Sequence, residues 1–485
     1  MAFALPPLHV SSVLPELVLL VTASAVVIVG ICLPRARAEL LGALSLAGMA
    51  AGLLALVCLW GEPVRGFGGM VVKDGFALFF CLVLLVAGGI STLMSFEYLR
   101  REGARWWEYH ALMLLSLVGM MLMASATDLI MVFLGLETFS LSIYVLAGFL
   151  RHDPRSGEAA LKYFLLGSFA SAFFLYGVAL LYGITGSTNL ARIATRLAGS
   201  GDLVGQPMLL AAMCLLVVGF GFKIALAPFH MWVPDVYEGA PTSVTAFMSV
   251  APKAAGFAAF LRVFLRALPS LRGDWTMLLW VLAVLTMSVG NLVAISQRNI
   301  VRMLAYSSIA HAGYLLVGMV AGGNLGTSSV LFYLWSYAFM NLGAFAVVVL
   351  YGRAGRQNLQ IEDYAGMAHR YPVLAAAMAL FMFSLAGIPP TAGFVGKFYL
   401  FSAAVKAGYI WLAVIGVINS LVSVYYYLRV TVMMYMRQPE GEVAPVRAVP
   451  SLSLALLITA LFTLQIGLFP GGWLRLAHAS LGVLP

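Results

Sequence analysis

Long apolar runs alternate with short charged or Pro/Gly-rich breaks along the whole chain. Each run is close to the roughly 20 residues an α-helix needs to cross about 30 Å of hydrocarbon. The runs begin near Val13, Leu40, Phe76, Tyr109, Asp128, Ala160, Met208, Thr242, Thr276, Ile300, Ser329, Val373, Tyr409 and Leu452. They predict an all-α polytopic membrane protein of about fourteen transmembrane helices. No basic segment and small-residue cleavage site mark a signal peptide at the start, so the first run, 13–33, is expected to stay as a helix.

Two runs are interrupted. GFGFKIALAPFHMWVPD places Lys223 before Pro228, and LAGIPPTAGFVGKF places Pro389, Pro390 and Gly393 before Lys397. Proline removes a backbone donor and clashes with the preceding turn, so helices open there, and an opened turn at membrane depth survives only when protein or water surrounds it. These are the seventh and twelfth runs, five apart, and a repeat of an odd number of helices is inverted in the membrane. The expected organisation is therefore helices 1–3 in 1–107, a first five-helix repeat (spans 4–8) in 108–268, a second (spans 9–13) in 274–437, and a last helix in 438–485. The plain alternative is that Pro and Gly are common in membrane helices.

Composition sharpens this picture. Of 485 residues, 62% are hydrophobic and only 10% charged, which leaves no room for a soluble domain. The net charge of +9 comes from arginines in short loops, the signature of topology; no basic run interleaved with aromatics supports nucleic-acid binding. The face carrying Arg35, Arg37, Arg100, Arg101, Arg105, Arg151, Arg155, Arg298, Arg302, Arg353, Arg356, Arg370, Arg437 and Arg447 is richer than the face carrying Arg65, Lys73, Arg192, Arg196, Arg266, Arg272, Lys406 and Arg475. The richer face is expected to be cytoplasmic, which puts both termini on the periplasmic side in a bacterial inner or plasma membrane. Cys32, Cys58, Cys81 and Cys214 are scattered through apolar runs with no spacing that holds zinc or an iron–sulfur cluster, so no metal site is expected.

Lysine and arginine are partitioned. Lys162, Lys223, Lys253 and Lys397 fall inside apolar runs, while arginine dominates the loops. Arginine stays charged at any accessible pH, whereas a desolvated lysine can release its proton, so lysine is the cation suited to proton transfer. An ionised group at membrane depth is expensive and needs a partner, and Glu137, mid-run in MVFLGLETFSLSIYVLAGF, is the nearest candidate. His311, in YSSIAHAGYLL, titrates near neutrality and can pass a proton onward. Each residue has a bland alternative: lysines snorkelling to the headgroups, Lys162 above all; Glu137 pinning a helix contact; His311 donating to a carbonyl; His230 anchoring at the interface. Tyr306, Ser307 and Ser308 offer hydroxyls to a water chain, but such hydroxyls more often bond their own backbone. Glu16 lies too near the start of its run to place.

Three segments, APFHMWVPDVYEGAPTSVTAFMSVAPKAAGF at 227–257, YSSIAHAGY at 306–314 and SLAGIPPTAGFVGKFYLF at 384–401, resemble the antiporter-like membrane subunits of proton-translocating NADH:quinone oxidoreductase (respiratory complex I) and their relatives, the multisubunit cation/proton antiporters and membrane-bound hydrogenases. The form VPDVYEGAPT is similar to the N-type subunits. L- and M-type subunits usually carry a His-Ala-x-Ala-Pro form there, L types add a long lateral helix for which 485 residues leave no room, and M types typically have glutamate at the place of Lys397. The resemblance implies Glu137 and Lys223 as a controlling ion pair, Lys162 as its modulator, Lys253 as central relay, His311 as bridge and Lys397 as terminal group. It also implies that NADH, FMN, iron–sulfur clusters and quinone belong to other subunits, this chain binding no cofactor of its own. A stand-alone antiporter, which works alone in a vesicle, and a scaffold that has lost transport are the competing classes.

Overall fold

The structure is a computed structural model that describes residues 9–32, 38–104, 107–199, 203–352, 359–438 and 449–482. Arg35, Arg37, Arg105, Arg353, Arg356 and Arg447 of the charge census lie outside the described residues, as does Leu33 at the end of the first run.

Among the described residues, 13 helices are long and apolar enough to span a bilayer. The chain opens with α1 (Leu14–Cys32) and α2 (Ala38–Cys58), then a short antiparallel hairpin of β1 (Val64–Gly66) and β2 (Val71–Lys73). There follow α3 (Gly75–Arg101), α4 (Glu108–Ser125), α5 (Leu129–Ala147), α6 (Pro154–Thr185), the surface helix α7 (Leu190–Gly199), α8 (Pro207–Lys223), α9 (Trp232–Gly239) and α10 (Thr242–Arg266). The second half runs α11 (Arg272–Ser296), α12 (Ile300–Ala321), α13 (Gly323–Tyr351), α14 (Met367–Arg370), α15 (Pro372–Ala386), α16 (Ala392–Lys406) and α17 (Ile410–Met436), and α18 (Pro450–Leu468) and α19 (Gly471–Ala479) close it. The short α15 and α16 together make the remaining crossing, so the predicted set of spans is present.

The two halves are built alike, element by element. Asp128 caps α5 at Ile130 N while Leu129 N donates to Thr188 O and Leu190 N to Thr127 O. At one constant sequence offset, Asn299 caps α12 at Val301 N while Ile300 N donates to Leu359 O and Ile361 N to Arg298 O. Gly119 lets α4 cross α5 backbone to backbone, where an added Cβ would lie 2.6 Å from Phe139 N; at the same offset Gly290 does so for α11 on α12, 2.6 Å from Ala310 N. Small residues at such crossings admit the close packing that associates helices in lipid. Both breaks share one turn as well. Ala225 (φ 65°) and Gly387 (φ 88°) take the left-handed conformation, Leu226 N bonds Gly221 O at 2.8 Å, and Ile388 N bonds Phe383 O at 2.9 Å. Each turn is followed by a cis prolyl bond, Ala227–Pro228 and Pro389–Pro390.

Burial separates the helices. α10, α12 and α13 are enclosed almost throughout, whereas α1, α6, α17 and α18 turn large apolar faces outward. A helix that is apolar on all sides is either a core helix or a lipid-facing one, so hydropathy alone could not make this division.

Candidate functional site

Lys223 is the last residue of α8. The helix stops there because Ala225 turns left-handed and Pro228 cannot continue the hydrogen-bond ladder. A non-glycine residue in that conformation costs on the order of 1–3 kcal/mol and persists only where its surroundings impose it. Phe222 O, one of the carbonyls freed at the helix end, accepts Trp232 Nε1–H at 3.1 Å. The ammonium therefore sits at the negative end of a half-helix. Only 2% exposed, Lys223 Nζ donates to Ser140 Oγ at 2.8 Å and Tyr144 OH at 3.2 Å, inside a cage of the Phe139, Tyr144, Tyr163 and Phe222 rings at 5.3–5.8 Å. Cation–π attraction is largest where water is excluded, so the cage partly replaces the lost hydration.

Glu137 stands one turn before Ser140 on α5, half-buried between the outward-facing Leu134 and Leu141. It makes no ion pair with Lys223 in this structure, and its buried Oε1 has no partner within the chain. Lys162 lies elsewhere. At 42% exposure it bridges Glu158 (2.7 Å) and Asp235 (2.9 Å), and Asp235 and Glu238 in turn hold Arg302 Nη1 at 2.9 and 2.8 Å. That network ties α6 and α9 in the first half to α12 in the second.

Lys253 follows Pro252 inside α10. Because proline has no N–H, Met248 O loses its helical donor, and Tyr237 OH supplies one at 3.3 Å. Lys253 Nζ donates to both Ser308 O and Ser308 Oγ. The end of α8 meets α10 at Gly256, one turn beyond Lys253, where an added Cβ would lie 2.5 Å from Ile224 and 3.9 Å from Lys223 Cβ.

One turn after Ser308 on α12, His311 holds Tyr333 OH at 2.6 Å through Nδ1 and Tyr427 OH at 3.1 Å through Nε2; Tyr427 also bonds Ser307 Oγ. His311 is thus committed to two phenols rather than to a backbone carbonyl. Three residues further, Tyr314 lies edge-on to His311 at 5.6 Å and beneath Lys397 Nζ at 4.9 Å from its ring centre. Lys397 projects from α16 back to the end of α15, donating to Leu385 O (3.0 Å), Ala386 O (2.9 Å) and Ser420 Oγ (2.9 Å). Both break lysines therefore occupy the carboxyl end of a first half-helix, Lys223 by position and Lys397 by reaching back.

The structure thus brings Lys253, His311 and Lys397 into one line along α12, sets Lys223 against α10 at its head, leaves Glu137 nearby but unpaired, and holds Lys162 at the surface. His230 is half-buried with its Nδ1 unpartnered. Sequence reasoning missed Ser140, Tyr144, Tyr163, Tyr333 and Tyr427; their only signal was hydroxyl-bearing residues in otherwise apolar helices. No group of three or more His, Cys, Asp or Glu able to hold a metal occurs among the described residues.

The chain as a whole is similar to known proteins. The family described as NADH:quinone oxidoreductase/Mrp antiporter, transmembrane, matches residues 126–423. A protein of Trichlorobacter lovleyi named NADH-quinone oxidoreductase subunit N is 53% identical over 98% of both chains. A chain of respiratory complex I from Thermus thermophilus, solved with bound aureothin, is 38% identical with a TM-score of 0.81 over 96% of this chain and 99% of that one. A chain of the Mrp complex from Dietzia shares the fold, with a TM-score of 0.86 at 23% identity over 98% of both. By family match and by identity along nearly its whole length, this multi-pass membrane chain belongs to the subunit N family of NADH:quinone oxidoreductase.

Proposed function

We propose that this chain is a proton-translocating membrane subunit of NADH:quinone oxidoreductase and that Lys223, Lys253, His311 and Lys397 carry the proton, with Glu137 as the group that gates Lys223. The observation that supports this best is the line of buried titratable side chains set among hydroxyl-bearing residues: Lys253 on Ser308, His311 on Tyr333 and Tyr427, and Lys397 over the ring of Tyr314. Ions at membrane depth are costly, and their concentration along one helix is hard to account for by packing. Swung against Lys223, Glu137 holds the ammonium; swung away, as here, it leaves a desolvated lysine ready to pass its proton toward α10. Each occupied station then alters its neighbour's affinity, as coupled titrations require. Lys162, tied to Asp235, acts on Lys223 only through α6 and α9.

The five-helix repeats in 108–268 and 274–437, flanked by 1–107 and 438–485, are the units between which the proton passes. NADH, FMN, iron–sulfur clusters and quinone are assigned to partner subunits, with other antiporter-like subunits alongside in a bacterial inner membrane and both termini periplasmic. The test is proton pumping by the assembled complex in proteoliposomes, driven by NADH and quinone. Lys223→Ala, at matched electron-transfer rate and verified assembly, is expected to lower the proton yield per electron. An unchanged yield removes the relay.

A further inference from the structure

A buried lysine–carboxylate pair lies outside both repeats, in the N-terminal helices and hairpin. Lys73, the last residue of β2, is fully buried and donates to the Glu16 carboxylate on α1, to Ser125 Oγ at the end of α4 (2.6 Å) and to Cys81 Sγ on α3 (3.5 Å). Glu16 Oε2 is buried without a partner within the chain. Ser12 Oγ, one turn earlier along the same stretch, is in the same condition.

The very next residue makes the contrasting case. Asp74 grips Arg262 of α10 through both carboxylate oxygens, at 2.7 and 2.8 Å, and caps α3 at Ala77 N (2.8 Å). That pair is bidentate, and its cation cannot be deprotonated, the chemistry of an anchor. Lys73–Glu16 has the opposite character: a cation able to release its proton, an acid with one oxygen unbonded, and a hydroxyl and a thiol in contact. Both Asp74 oxygens are engaged by Arg262, whereas Glu16 Oε2 is left open to a further partner. Through Asp74 and Arg262 the pair is also fixed to α10 nine residues past Lys253, about 14 Å along the helix.

We propose that Glu16 and Lys73 are a further proton-exchanging pair of the translocation reaction, on the hairpin side of the chain and fixed to the Lys253 helix through Asp74 and Arg262. This rests on the proposed function above. In the step itself the Lys73 Nζ–H bond breaks and an O–H bond forms on Glu16, so ammonium and carboxylate become amine and acid. Glu16 then gives the proton to water on the hairpin face, and Lys73 regains one from the bundle interior.

The experiment compares Glu16→Gln/Lys73→Met, which removes both charges at nearly constant volume, with Lys223→Ala in the assembled complex. Replacing a buried ion pair by neutral side chains is commonly tolerated, so an anchor predicts normal assembly and normal pumping. Proton exchange predicts normal assembly with the proton yield per electron reduced to the level of Lys223→Ala. A wild-type yield in the double variant beside a reduced yield in Lys223→Ala overturns this pair alone; wild-type yields in both overturn the relay with it. Redox-induced infrared difference spectra of wild type and Glu16→Asp decide the matter even where the double variant fails to assemble. A carboxyl band that shifts in Glu16→Asp supports exchange at Glu16, and identical spectra overturn it.

Discussion

Asp74 and Arg262 join α3 to α10 by the only bidentate ion pair with both side chains fully buried among the described residues, so neutralising Asp74 has a calculable cost. Asp74→Asn keeps an oxygen to accept from Ala77 N, which preserves the helix cap, and removes the charge together with the oxygen that accepts from Arg262 Nη1. Arg262 then remains at 0% exposure with no counter-ion and with its Nε already unpartnered, and breaking a buried pair from one side costs about 3–5 kcal/mol. Asp74→Ala loses the cap as well and is expected to be about 1 kcal/mol worse. Asp74→Asn/Arg262→Met removes both charges and is expected to recover most of the loss. The assay is the midpoint of heat-induced loss of the solubilised native complex, read with the amount assembled in membranes. If Asp74→Asn and the double variant are destabilised equally, the pair does not couple and the argument from desolvation fails. Burial alone would raise the Asp74 carboxyl, but the Arg262 guanidinium overrides it and holds the group below its ordinary 3.8. The sign follows: the pair's contribution is complete above pH 3.8 and is lost only as pH falls through that lower value, so neutral-to-mildly-acid titration should leave the midpoint unmoved by this pair.

Lys223→Arg should assemble yet pump no better than Lys223→Ala, because a guanidinium holds its proton; a wild-type proton yield would refute release at this site. Tyr427→Phe removes the hydroxyl shared by His311 Nε2 and Ser307 Oγ, and is expected to cut pumping with assembly intact, while Tyr425→Phe, whose side chain lies on the exposed face of α17, serves as the control. Equal yields in the two would remove Tyr427 from the path. Lys162→Ala breaks exposed pairs worth about 0–1 kcal/mol, so the thermal midpoint should hardly change, and a large drop would mean the α6–α9–α12 network carries more than its exposure allows.

The set of spans, the two breaks and the lysines at depth were legible because each leaves a local mark: a 20-residue apolar run, a proline, a charge in the wrong medium. Partners were not. Nothing in SLSIY announces that Ser140 and Tyr144 face Lys223, since the contact joins residues far apart in sequence and hydroxyls are ordinary in membrane helices. Lys73 reads as one more loop charge until the hairpin folds over α1 and buries it. Glu137 sits mid-run, as expected, but its rotation about the α5 axis, half toward the outside, depends on which neighbours α5 packs against. Lys162 fell inside an apolar run by hydropathy and stands at the surface because α6 begins at Pro154, two turns before it.

Helix α12 runs without interruption from Ile300 to Ala321 and carries Ser308, His311 and Tyr314 on one face. Lys223, Lys253 and Lys397, the groups proposed to hand protons to it, belong to helices that are broken or hold an internal proline. Transfers along α12 thus need only side-chain rotation, which is fast, on the picosecond-to-nanosecond scale where space allows, whereas movement of a half-helix belongs to microseconds or longer. Turnover should accordingly be timed at the two ends of this rail, by the breaks beside Lys223 and Lys397, and substitutions that stiffen those turns should slow the cycle without altering how many protons each cycle moves.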